Sequence, residues 1–278
     1  MIEMKKIGKV IAISVAIVLI IGLLILTNAF VGNPISKIMV TNNAQKYIEA
    51  TYPNTDYEVE RVVFNFKTGG YTAYIQSLSS QDTYFDVDYS IRGKIKYDNF
   101  STRVSDGFNT WQRINSEYRE VTDEIIEQLP YETDIEYGEI QTLEKGNSPL
   151  KFGVDMASLE LDKLYDTNEL GRQYGKITLY VNTEEVTPEK AAEVLQEVKK
   201  QFDEHNQSFY AIDLVLRYPR KEEIKEWQDD KALRIECFLY SDIVEEGLLE
   251  KIEGAIGVTE AYYKEMDAIK QIKEKEAY

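Results

Sequence analysis

Residues 10–36 carry no charged side chain, and Lys5, Lys6 and Lys9 stand just ahead of them. The apolar heart of that run, residues 10–26, reads VIAISVAIVLIIGLLIL and is extended by Ala29, Phe30 and Val31. Roughly 20 mostly apolar residues are enough for a helix to cross the ~30 Å hydrocarbon core of a bilayer. The run therefore predicts a single transmembrane helix over 10–31. The preceding lysines put residues 1–9 in the cytoplasm as a short tail and everything beyond the helix outside the cell membrane. A cleaved signal peptide fits less well. Its apolar region spans about 7–15 residues and ends in a small-x-small site, whereas this run is longer and Thr27-Asn28-Ala29 is a poor site of that kind.

The remainder is too long for one domain of typical size, about 100–150 residues, and two domains are expected. With 43% hydrophobic and 12% aromatic residues there is material for real cores, so disorder is excluded. The net charge is −17, and the part beyond residue 36 carries −19, because Glu3, Lys5, Lys6 and Lys9 together contribute +2. That excludes nucleic acid as a partner, since its binding rests on Lys and Arg neutralising phosphates. A single cysteine excludes an intramolecular disulfide.

Periodicity then lays out the elements. Asn33-Pro34 breaks the first helix, and Ser36 is the expected cap of a second that runs to Tyr52 with Ile38, Ala44, Tyr47 and Ile48 as its stripe. Alternation at Val62/Phe64/Phe66, Tyr71/Ala73/Ile75, Phe85/Val87/Tyr89 and Ile95/Tyr97 predicts a four-stranded antiparallel meander, with Thr68-Gly69-Gly70 as a hairpin turn. Val104, Phe108, Trp111, Ile114, Tyr118, Val121, Ile125 and Leu129 recur every three or four residues, which predicts a helix covering that sheet. Residues 131–150 have little pattern and are expected to link the domains. Beyond them come a short helix over 158–165, a strand over 176–182, a helix opened by Thr187-Pro188, strands over 209–218 and 233–240 around a charged loop, and a long last helix from Asp242 with Glu245 as its capping partner. The expected class is α+β: an N-terminal transmembrane helix, then two small extracytoplasmic domains, 37–130 and 131–278. The first is expected to be helix, four-stranded antiparallel sheet, helix.

Candidate chemistry is sparse. Asp86 and Asp88 share one strand face and could divide acid and base roles, but they lie opposite the apolar Phe85, Val87 and Tyr89, as a solvated outer face does. His205 is the only histidine and falls at a helix end, where an imidazole suits the last carbonyls. Cys237 is in phase with Ile235 and Leu239, so it reads as a small core hydrophobe. Residues 166–171 open like a calcium loop, yet Leu170 and Ile177 stand where ligands belong. Hydrolase, zinc and phosphate-loop motifs are absent from the sequence. No catalytic, cofactor-binding or metal residue is singled out, and no cofactor is expected.

NPISKIMVTNNAQKYIEATYP, NFKTGGYTAYIQS, YFDVDYSIRGKIKYD and GFNTWQRINSEYRE in the first half, and KITLYVN, PEKAAEVLQEVK and FYAIDLVLRYP in the second, resemble the YfjL-like proteins of Gram-positive bacteria. The resemblance implies one anchor followed by two small α/β domains and no assigned activity. Taken together, the expectation is a non-enzymatic binding or accessory module at the cell surface, meeting an extracytoplasmic or membrane protein partner. The alternative is a cell-surface hydrolase using the Asp86/Asp88 pair.

Overall fold

The computed structural model describes residues 2–143, 149–219 and 231–276. The chain divides into two compact units, Met1–Asn109 and Thr110–Tyr278. Each contains one four-stranded sheet.

The apolar N-terminal segment forms a helix, α1 (Ile2–Val31). It does not bear out the transmembrane expectation. Among the described residues no helix is long and apolar enough to cross a membrane. The single-pass anchor, the cytoplasmic tail and the cell-surface placement that followed from it are withdrawn with it.

Gly32, at φ +81°, ends α1, and α2 (Pro34–Thr51) follows. Its cap is Asn33 rather than Ser36: the Asn33 carboxamide oxygen accepts from the Ile35 N–H at 2.8 Å, and Pro34 takes the first-turn position, where its missing N–H costs nothing. The joint is bolted to the sheet by one phenol. Tyr71 accepts from the Asn33 N–H at 2.7 Å and donates to the Asn33 carbonyl at 2.8 Å. α2 buries Val40, Ala44 and Ile48, while Ile38 faces out.

Strands β1 (Tyr57–Asn65), β2 (Gly70–Ser77), β3 (Tyr84–Ser90) and β4 (Ile95–Asp98) pair in sequence order, all antiparallel, as the alternation predicts. Val62, Ala73, Ile75, Phe85, Val87 and Tyr89 pack beneath α2. Tyr47 and Tyr52 both donate to Asp98 Oδ2, at 2.6 and 2.8 Å, which ties α2 to β4.

α3 (Phe108–Ile126) is the stripe helix, and here the expected partner is wrong. Its residues from 110 on belong to the second unit. Ile125 and Ile126 join that unit's main core, and Ile114 and Tyr118 pack with Ile140, Val154 and Leu170. The stretch expected as a linker contains β5 (Glu132–Ile140), an edge strand whose acidic and short residues hide its alternation. The short helix expected over 158–165 is instead a 3-10 turn, Met156–Ser158, followed by α4 (Thr167–Tyr174). Asp166, first residue of the calcium-like stretch, caps α4 by accepting from the Asn168 and Glu169 N–H groups at 2.8 and 3.1 Å.

β6 (Gly175–Asn182) pairs antiparallel with β5 and parallel with β7 (Ala211–Arg217), and β8 (Leu233–Leu239) closes the order β5-β6-β7-β8 antiparallel to β7. The parallel pair needs a crossover, supplied by α5 (Pro188–Glu204), with Thr187 as its cap. α6 (Leu248–Glu276) starts after Gly247 at φ +72°, later than expected. Val194, Leu195, Val198 and Phe202 of α5, with Leu248 and Ile252 of α6, cover Ile177, Leu179, Ile212, Leu214, Leu216, Ile235 and Phe238.

Candidate functional site

α6 starts in the core and then leaves it. Leu248 and Ile252 are buried, Thr259 still is, and beyond it Tyr263 and Ile272 are 40% and 56% exposed. Thr259 ties the helix to β8, where its Oγ1 accepts the Glu236 N–H at 3.0 Å. β8 is the last strand in the sheet order, and the threonine satisfies one of its backbone donors. Past this point the helix and the start of β8 enclose a cleft of about 800 Å³, with Val186 and Pro188 at one side. Leu233 and Ile256 line it and belong to the fringe of the main core. Lys231, Arg234, Glu260, Lys264 and Asp267 supply its charged walls. Its volume falls within the range of small-molecule sites.

At the cleft, Tyr263 donates its hydroxyl to Glu236. Burial pushes the Glu236 carboxyl above its ordinary range, and Asp213 adds to this, while the Tyr263 hydroxyl, Lys176 and Arg234 pull the other way. The Tyr263 phenol is raised as well, by burial first and by Glu236 second, with Arg234 opposing. Perturbed groups of this kind gather at functional sites more than elsewhere.

Behind Glu236 the strand is irregular. The β7–β8 register shifts between Ile212 and Leu214, and Cys237 sits at φ +53°, a conformation costing a non-glycine residue on the order of 1–3 kcal/mol. The Cys237 N–H donates to Asp213 Oδ1 at 2.8 Å, and Asp213 Oδ2 meets Lys176 Nζ at 2.9 Å. Burial disfavours the Lys176 charge, but Asp213 outweighs it and the ammonium is held above its usual range. The irregularity overturns the sequence phase. Cys237 is buried, as expected of a small hydrophobe, but Phe238 and not Cys237 joins Ile235 in the main core, because one extra residue moves every later side chain to the other face. Cys237 and Glu236 instead line a second hollow of about 420 Å³ with Leu150, Phe238, Lys251 and Val258.

The other sequence candidates lie elsewhere and do not converge. Asp86 and Asp88 do share the outer face of β3, each with a partner: Asp86 Oδ2 accepts from Asn99 Nδ2 at 2.6 Å, with Arg103 at 3.9 Å, and Asp88 Oδ1 accepts from Thr72 at 2.6 Å. His205 ends α5, with Nδ1 2.8 Å from the Gln201 carbonyl and Nε2 3.2 Å from Gln128 Nε2. Half-buried Trp111 donates its indole N–H to the Ile140 carbonyl at 2.9 Å, a structural bond that ties α3 to β5. Among the described residues no group of three or more His, Cys, Asp or Glu side chains could hold a metal ion. Sequence reasoning missed the cleft because its residues are far apart in the chain. The one local signal was the Ile256, Tyr263 and Lys264 side of α6, read only as part of a long helix.

No curated protein and no solved structure matches the chain. Two family models do. The model of the YfjL-like N-terminal domain matches residues 7–99, and that of the YfjL-like C-terminal domain matches residues 117–253. The first match ends with β4 and the second begins inside α3, on either side of the boundary between the compact units. With most of its length covered by these two domains, the chain belongs to the YfjL-like family.

Proposed function

We propose that this chain is a non-enzymatic binding module whose ligand seat is the cleft between α6 and β8. The cleft itself carries the reading: about 800 Å³, with apolar residues continuous with the core and charged residues on both walls. Such a seat positions a ligand without any nucleophile or metal. The hydrolase alternative would need Asp86 and Asp88 to take different protonation states. Each is instead engaged by a neighbouring side chain, Asp86 accepting from Asn99 and Asp88 from Thr72. The test is a thermal-shift screen of small molecules on the full chain, repeated on Ala232→Trp, which places a bulky ring in the cleft. Ligands that raise the melting temperature of the wild type and not of the variant are expected. Turnover of ester, phosphate or glycoside substrates that disappears in Asp86→Asn/Asp88→Asn would instead establish the hydrolase.

A further inference from the structure

The charges around the cleft define the ligand class further, an inference that rests on the cleft being the seat. In a chain of net charge −17, three cations meet at one hollow: Lys231 and Arg234 on the strand side and Lys264 on the helix side. Glu260 and Asp267 are on the helix wall too, so the strand side is the more positive. Lys264 is held only loosely. Its Nζ is 3.8 Å from Glu260 Oε2, and the two side chains are 80% and 63% exposed, a pairing of the kind that contributes little. Its ammonium is therefore available to turn toward a better anion. Arg234 lines the same hollow from β8. The lining also includes the apolar Val186, Pro188, Ala232, Leu233 and Ile256.

We propose that the cleft takes a small amphipathic anion, its apolar body against Val186, Leu233 and Ile256 and its acid group among Lys231, Arg234 and Lys264. Carboxylate, sulfonate and phosphate share the needed chemistry, since each accepts charge-assisted hydrogen bonds from Lys and Arg. A nucleic acid is not the occupant, because its recognition needs a basic surface tracking many phosphates.

The test uses the full chain and two dyes of similar shape, anilinonaphthalene sulfonate and the neutral phenylnaphthylamine. Fluorescence titration is run on the wild type, on Lys231→Glu/Lys264→Glu, whose substituted side chains are both exposed, and on Ala232→Trp. Melting curves check that each variant folds. Only the binding that Ala232→Trp removes is assigned to the cleft, which separates it from dye on the exposed apolar residues of α1. The expected result is saturable sulfonate binding in the cleft, weakened about tenfold or more by the double glutamate variant, the scale of one strong charge-assisted contact. The neutral dye should be unaffected by that variant. If the neutral dye binds in the cleft as tightly as the sulfonate and the double variant changes neither, the anion preference is wrong while the seat stands. If Ala232→Trp removes no binding of either dye, the seat is wrong and the inference falls with it.

Discussion

Burial holds the Glu236 carboxyl above the ordinary carboxylate range, with Asp213 reinforcing the shift and the Tyr263 hydroxyl, Lys176 and Arg234 opposing it. A raised carboxyl binds its proton more readily in the folded chain than in the unfolded one. Its stabilising contribution is therefore complete below the unfolded pKa and is lost as pH rises through the folded value. Replacing Glu236 by Gln removes that dependence while keeping an acceptor for the Tyr263 hydroxyl. Melting temperatures followed across the weakly acidic range should fall less steeply with rising pH in Glu236→Gln than in the wild type. A slope unchanged by the substitution would show that the shifted proton does not reside there. Asp123, also raised by burial, supplies a parallel slope that both proteins share. At this scale the sequence was legible only where local rules suffice. The shared outer face of Asp86 and Asp88 and the helix-end position of His205 follow from period and capping. The irregular register at Cys237 does not, because it depends on a hydrogen bond from the Cys237 N–H to Asp213, 24 residues away.

Elements with strong periods were readable in the sequence, but their partners were not. The stripe of α3 specifies a buried face and says nothing about which sheet buries it. The meander β1–β4 was legible because each strand pairs with its neighbour and keeps one wet face. β5 was not, since an edge strand carries Glu132, Asp134, Glu136 and Glu139 without penalty. α4 lies wholly beyond the helix expected over 158–165, and its packing rests on a glycine whose role is tertiary. A Cβ on Gly171 would lie 2.1 Å from the Ser208 carbonyl and 2.6 Å from the Tyr118 ring. By propensity alone Gly→Ala inside a helix gains about 1 kcal/mol. At Gly171 the clash with backbone should reverse the sign and cost about 1–3 kcal/mol. Gly254 in α6 has nothing within 4 Å of the same position, so Gly254→Ala should stabilise by about 0.5–1 kcal/mol. Denaturant melts of the two variants give the comparison, and equal effects would mean that α4 is not packed as described.

For the whole molecule, the decisive assignment is the break at Asn109/Thr110. The sequence reading placed it after residue 130, which gives the second domain a core without α3. A fragment of residues 110–278 retains Ile114, Tyr118, Ile125 and Ile126, all buried, whereas 131–278 loses them. Removing a single large buried aliphatic side chain costs about 2–5 kcal/mol, and a domain is stable by only about 5–15 kcal/mol. The longer fragment should melt cooperatively, and the shorter should show no cooperative transition by circular dichroism. A cooperative melt for 131–278 alone would restore the earlier boundary. The same architecture also sets the order in which the chain can acquire structure. Every pairing in the first sheet joins strands adjacent in sequence, so its loops close at small entropic cost. The parallel β6–β7 pair cannot form until the intervening stretch that becomes α5 has been drawn across the sheet, and such non-local closure is intrinsically slow. In a chain emerging from its N-terminus, the first unit can thus be complete while the second is still waiting for its middle strands to meet.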